Sequence, residues 1–287
     1  MSLACITSCA SLGLDAPPVT VEVHLSGGLP GMTLVGLPET VVRESRDRVR
    51  SALLNSGFSL PPQRITINLA PADLPKAGGR YDLPIALGIL AASGQVPADA
   101  LRGMACLGEL ALSGALRAVP GSLSAGLACH QRGEILLLPQ ANAGDAALLP
   151  EARIRTAASL AEVVACLRGQ RQWPPPAPVE MPAPAPSGPD LCQVQGQVMA
   201  RRALEIAASG GHSLLLHGPP GAGKTLLAGC LPGLLPPLPP AIQREVRALY
   251  SLTRINPPPD ACPPLRMPHH SASVAALIGG GSCDFSK

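Results

Sequence analysis

Val19, Val21, Val23 and Leu25 alternate with Thr20, Glu22 and His24, the period-2 pattern of a strand with one buried face. Residues 26–31 then form a Gly-rich turn, and residues 33–37 a short apolar segment. Residues 38–56 read as an amphipathic helix that turns Val42, Val49 and Leu53 to the core and stops at Gly57. Ile65, Ile67 and Leu69 alternate again as a strand closed by Pro71 and Pro75, and residues 78–81 make a loop. Residues 82–93 are apolar enough for a buried helix, with Asp82 as its expected cap. Residues 106–112 and 115–119 are expected to pair as a hairpin about Ser113-Gly114. After them come a helix (122–132), a buried strand (135–138), a helix (142–149), a short strand (154–156) and a last helix (160–167). Strands alternating with helices predict an α/β or α+β domain over residues 1–168.

The pattern breaks at Gly169. Eight prolines lie between Trp173 and Pro189, so residues 169–190 are expected to act as a semi-rigid extended spacer. In the second domain, residues 191–287, a helix over 197–209 stops at Gly210-Gly211. An apolar run centred on Leu214-Leu215-Leu216 follows, expected as a buried parallel strand beginning at Ser213. It feeds Gly218-Pro219-Pro220-Gly221-Ala222-Gly223-Lys224-Thr225, and Leu226-Leu227-Ala228 leaves it as a helix would. A Pro-rich turn (232–240) leads to a helix over 241–252, then to Asn256-Pro257-Pro258-Pro259, to Pro268-His269-His270-Ser271-Ala272-Ser273, and to an apolar segment ending in Gly279-Gly280-Gly281.

The octet fits G-x-x-x-x-G-K-T, the Walker A phosphate loop, in the strand-then-helix context that loop requires. Glycines let successive backbone N–H groups close around phosphates at the positive end of a helix. Gly218, Pro219, Pro220, Gly221, Ala222, Gly223, Lys224 and Thr225 are therefore expected to hold ATP. Lys224 would reach the β- and γ-phosphates, and the Thr225 hydroxyl would ligate Mg2+.

Composition narrows the alternatives. With 46% hydrophobic and 14% charged residues among 287, both halves can build a core. The five aromatics (Phe58, Tyr81, Trp173, Tyr250 and Phe285) cannot furnish a base-stacking surface. The net charge of +3 is too small to announce a polyanion partner. Arg43, Arg46, Arg48 and Arg50 suggest nucleic acid, but Glu39 and Glu44 precede Arg43 and Arg48 by four residues, with Asp47 among them, so a salt-bridged, solvated face is expected. Nine cysteines without a C-x-x-C pair suggest neither a zinc site nor a disulfide framework. The first basic residue is Arg43, which gives no secretory n-region, and the uncharged run 83–98 is broken by prolines and glycines. A soluble, cytoplasmic protein with no membrane partner is expected. His269 and His270 point apart as neighbours and have only Cys262 nearby in sequence, so a loop role is favoured over a metal site.

Several stretches together resemble one family, the magnesium-chelatase-like AAA+ ATPases called YifB or ComM. They are residues 21–25, 36–40, 46–53, 68–75, 108–114, 196–197, 200–207, the phosphate loop and 268–273. The resemblance implies a Lon-protease-like (ribosomal protein S5 domain 2-like) α+β domain followed by a P-loop AAA+ α/β module. It also implies assembly as a homo-hexamer, ATP-driven branch migration of DNA in natural transformation, and adenine near residues 194–197. Lon-type peptidases use a Ser-Lys dyad. The comparable turn here, Gly79-Arg80-Tyr81-Asp82-Leu83-Pro84, has no serine, Leu123 stands where the lysine is expected, and Lys76 is the sole lysine of the first 168 residues. The first domain is thus expected to be a structural or partner-binding module, not a peptidase. A Walker B carboxylate is also expected of the family, yet no apolar strand ending in Asp-Glu follows Thr225, where Asp260 follows three prolines and Asp284 follows Gly-Ser-Cys. The reading is an incomplete AAA+ domain in a C-terminally truncated member, able to hold nucleotide without completing hydrolysis, whose second half exposes apolar surface. The competing functions are a metal-inserting chelatase motor subunit and a non-catalytic remnant whose first domain binds partners.

Overall fold

The computed structural model describes residues 2–36, 40–76, 78–175, 188–252 and 262–278, with the backbone alone for 40–43. The expected helix start at Pro38-Glu39, the side chains of Val42 and Arg43, most of the Pro-rich spacer, the Asn256–Pro259 turn, Asp260, Gly279–Gly281 and Asp284 lie outside them. The chain divides into two compact units, Met1–Val179 with Ser251–Arg254, and Glu180–Tyr250 with Ile255–Lys287.

The first unit is α/β. Its strands are β1 (Ser2–Cys9), β2 (Pro18–Ser26), β3 (Gly31–Val35), β4 (Arg64–Ala70), β5 (Met104–Cys106), β6 (Glu109–Leu110), β7 (Leu116–Arg117), β8 (Ile135–Pro139) and β9 (Ile154–Ala157). Its helices are α1 (Thr40–Asn55), α2 (Asp82–Ala92), α3 (Ser122–Arg132), α4 (Ala143–Ala147) and α5 (Leu160–Leu167). Seven strands form one mixed, mostly parallel sheet in the order β3-β4-β2-β1-β5-β8-β9. β1–β2 and β2–β4 are antiparallel and the other pairs parallel.

The alternation in β2 does what it predicts: Val19, Val21, Val23 and Leu25 are buried, as are Ile65, Ile67 and Leu69 on β4. Thr20 and Glu22 face the other way, opposite Ala70 and Asn68 in register. One face of this antiparallel half can therefore be polar. α2 is apolar all round and accordingly buried, with Leu83, Ile85, Leu87, Ile89 and Leu90 at 0% exposure. Its Gly88 lets the helix approach β2, since a Cβ there would stand 2.5 Å from Val23 Cγ2. One core joins α1, α2 and α5 to the sheet, and a second lies under α3, built from Ala105, Leu107, Ala125, Leu136 and Leu138.

Four expectations for this unit need correction. β1 was not foreseen: its inward residues Ala4, Ile6 and Ser8 are buried, but Leu3 and Cys5 on the outer face are apolar too and blur the alternation. The hairpin about Ser113-Gly114 is only two residues deep, Glu109–Leu110 against Leu116–Arg117, because Met104–Cys106 is taken by the central sheet between β1 and β8. The helix over 142–149 shrinks to α4. Asp82 is not a cap: it is the first residue of α2, whose cap position is Tyr81 without a side-chain hydrogen bond.

The second unit contains α6 (Val198–Gly210), α7 (Lys224–Gly229), α8 (Leu231–Leu234), α9 (Pro240–Ser251) and α10 (Val274–Ile278). No strand occurs among its described residues, so the buried parallel strand expected around Leu214–Leu216 is not formed. Leu215 is 89% exposed. A parallel strand needs hydrogen-bonded neighbours and cover on both faces, and the described residues of this unit supply no second strand. The unit's small core gathers Leu191, Val194, Leu204, Leu227 and Cys230. The exposed apolar surface expected of it is present at Val198, Met199, Met267 and Ile278. Among the described residues no helix is long and apolar enough to cross a membrane.

Candidate functional site

The octet 218–225 follows the irregular run 212–217 and ends in the first two residues of α7. Gly218, Gly221 and Gly223 hold φ values of 156, 81 and 81°, the region L side chains avoid, and this is why those positions are glycine. Crowding is not the reason: a Cβ on Gly221 or Gly223 would meet nothing within 4 Å. Gly223 is the left-handed residue that starts α7, and Lys224 is the first residue of that helix. The Lys224 ammonium bends back over the loop and donates to the carbonyls of Gly218 (2.8 Å) and Pro219 (2.7 Å). Thr225 follows on α7 and is exposed, as are Pro219, Pro220 and Gly221.

α7 runs only six residues and is interrupted at Cys230 before α8. Pro232 explains the break, because it has no N–H to bond the carbonyl four residues earlier and its ring crowds that turn. Leu227 and Cys230 anchor the helix in the small core.

Val194 to Gln197 come to the loop from the other side. Val194 is buried in the same core, and Gln197 adopts a left-handed φ of 48° just before α6. The Gln197 side chain donates from Nε2 to the carbonyl of Ala222 at 3.3 Å. The structure thus brings residues 194–197 and 218–225 together, a link that nothing in the spacing between them announces.

The other residues singled out in the sequence are held elsewhere. Ser122, at the start of α3, donates to the Asp145 carboxylate and accepts from Asn142 Nδ2 at 3.0 Å. Lys76 is buried and donates to the Pro71 carbonyl, with burial pushing its ammonium down from the ordinary lysine range. Arg48 does not only pair along its own helix with Glu44 (3.9 Å). It donates Nε and Nη2 to the fully buried Asp82 carboxylate at 2.8 and 3.2 Å. Asp82 also accepts from the Leu110 N–H at 3.2 Å. Burial raises the Asp82 carboxyl while Arg48 and Leu110 pull it back, and the bond to Asp82 raises Arg48. The pair is an internal brace joining α1, α2 and β6.

His269 accepts at Nδ1 from the Ser271 N–H (3.3 Å) and bonds the Ser271 hydroxyl (2.7 Å), with the His270 ring 4.1 Å from its own. Among the described residues no group of three His, Cys, Asp or Glu side chains is arranged to hold a metal ion.

Comparison with known proteins follows this division. Residues 21–142 match the family model "Subunit ChlI of Mg-chelatase", and residues 190–286 match "Magnesium chelatase, subunit ChlI". The chain is 49% identical over 284 residues to the protein YifB of Salmonella typhimurium, and 49% identical over 284 residues to YifB of Escherichia coli. It is 50% identical over 288 residues to the competence protein ComM of Haemophilus influenzae. Each alignment covers 98% of this chain but only 56 or 57% of the relative, so the chain spans about half the length of the curated relatives it matches.

Proposed function

From the premise that this chain belongs to the magnesium-chelatase ChlI family, among relatives called YifB and ComM, we propose that its phosphate loop binds the triphosphate of ATP with Mg2+. The observation that carries this reading is the Lys224 ammonium folded back onto the Gly218 and Pro219 carbonyls of a loop whose glycines hold positive φ. When nucleotide enters, the lysine exchanges two carbonyl partners for phosphate oxygens, and the N–H groups of residues 221–225 turn to the same anion. Thr225, exposed beside it, supplies the hydroxyl for Mg2+. A magnesium ion held there would supply positive charge to neutralise the phosphate oxygens. Gln197 braces the loop from the adenine side.

In this reading the first unit is the Lon-protease-like domain, the second is the opening part of the AAA+ module, and the working protein is a homo-hexameric, DNA-processing ATPase of the ComM type. A polypeptide confined to these 287 residues binds ATP without turning it over, because among the described residues after Thr225 no strand occurs to carry a Walker B carboxylate. A second reading, a metal-inserting motor, is favoured by the chelatase description that both matching family models carry.

Thermal unfolding with MgATP tests the site. Nucleotide at 100 times its Kd adds about 2.7 kcal/mol, and Lys224→Ala with Thr225→Ala removes that gain. Equal stabilisation of the double variant, or none in the native chain, overturns the site. Steady ATP turnover by the pure 287-residue polypeptide overturns binding without hydrolysis. Holliday-junction unwinding by a full-length relative, set beside magnesium insertion into protoporphyrin, separates the two motor readings.

A further inference from the structure

Cys9 ends β1 and Cys129 lies in the last turn of α3, 120 positions apart, yet their sulfurs are 3.8 Å from one another. Both side chains are buried, at 0% and 1% exposure. Arg132, the last residue of α3, sets a single Nη2 at 3.3 Å from each sulfur. Its Nε is held by Glu134 at 2.8 Å and its Nη1 points to the Ala16 carbonyl at 3.5 Å, so the guanidinium is fixed over the thiol pair. The arginine is itself partly exposed, with 27% of its side chain open, and it forms the solvent side of the cluster. Two buried thiols in contact under one positive charge differ from a buried cysteine in apolar surroundings, whose thiolate no neighbour stabilises.

We propose that Cys9 and Cys129 form a dithiol site whose substrates are small hydroperoxides, which convert it to a reversible Cys9–Cys129 disulfide. Cys9 is the attacking sulfur and Cys129 the resolving one. The Cys9 thiolate attacks one oxygen of hydrogen peroxide, the O–O bond breaks, and Cys9 becomes a sulfenic acid as hydroxide leaves. The Cys129 sulfur then displaces that hydroxyl: the S–S bond forms, the S–O bond breaks, and the Cys129 proton leaves with the oxygen as water. Hydroxide takes a proton from solvent. Each sulfur has lost one electron, and the two peroxide oxygens have gained them as two waters.

The surroundings assign these roles. The hydrogen bond shared with Cys129, and after it Arg132, holds the Cys9 thiol down at about 7 against a burial that would raise it. Cys129, the partner in that bond, is pushed up. Cys106 on β5 is pushed up to about 12 by burial and by the charge on Cys9, and stays a spectator thiol. The other charged groups acting on the pair are Glu134, which opposes the thiolate, and the buried Arg80, which shares its field.

The test uses the full chain carrying Cys5→Ser, so that Cys9 is the sole thiol of tryptic residues 1–43 while Cys129 is the sole thiol of 118–132. Stoichiometric hydrogen peroxide near neutral pH, followed by alkylation and mass spectrometry, should yield those two peptides joined and two hydrogens lighter, and dithiothreitol should separate them. Formation should rise with pH through about 7. Cys129→Ser should leave a Cys9 sulfenic acid that dimedone traps, and Arg132→Gln should slow bond formation on the order of tenfold by removing the positive charge beside the thiolate. The site is overturned if Cys9 stays fully alkylatable after peroxide, or if it pairs with Cys106, Cys192 or another chain instead. Because the first measurement uses neither Arg132 nor Cys129 variants, poor folding of those variants cannot shield the proposal.

Discussion

Leu137 and Leu215 occupy the middle of two apolar runs that read alike in sequence, yet one is at 0% exposure and the other at 89%. Leu137 sits on β8, hydrogen-bonded to β5 on one side and β9 on the other, with Val163 and Val164 of α5 in its core. Leu215 lies in an irregular segment with no strand beside it among the described residues. An apolar tripeptide is thus a proposal for a strand, and its neighbours accept or decline it. The first unit has neighbours for every strand. The second gathers a small core from α6, α7 and the segment around Leu191 and Val194.

Substitutions can break this contrast or sharpen it. Leu137→Ala should cost about 2–5 kcal/mol in denaturant unfolding of the first unit, the range for a buried leucine whose cavity cannot fully close. A loss under about 1 kcal/mol would mean that the sheet core is looser than its burial says. Asp82→Ala should cost about 3 kcal/mol, the lower end for breaking a buried pair, because Arg48 keeps 22% of its side chain open to solvent. Gly88→Ala should cost about 1–3 kcal/mol by overpacking, since Val23 Cγ2 lies where the new methyl would go. The effect should shrink when Val23→Ala is added. Leu215→Ala closes the series at within about 0.5 kcal/mol. A value matching that of Leu137→Ala would show that this run is buried in solution and would erase the contrast.

The legible and illegible parts of the molecule differ in a physical way. β2, β4 and α2 were readable because burial there follows a period local to the chain, two residues for a strand and every position for the central helix. β1 was not readable, because its outer positions Leu3 and Cys5 are as apolar as its inner ones. Asp82 shows the same limit for a single residue. Its place before an apolar helix suggested a cap, but Arg48, 34 positions earlier, claimed its carboxylate for a buried brace. The octet 218–225 was legible as a candidate phosphate loop because glycine spacing and a terminal Lys-Thr are local requirements of backbone conformation and charge. Its contact with Gln197 was not, being a contact between residues 25 apart with no shared period.

Sequence alone determined the alternating strands, the buried helix, the loop whose glycines must take positive φ, and the family to which the chain belongs. Tertiary structure decided which apolar runs become strands, which carboxylate meets which guanidinium, and that Cys9 and Cys129 share one arginine. The reason is range: dihedral preference and hydrophobic period act over a few residues, whereas strand pairing, ion pairing and thiol contact depend on distances that only the folded chain sets.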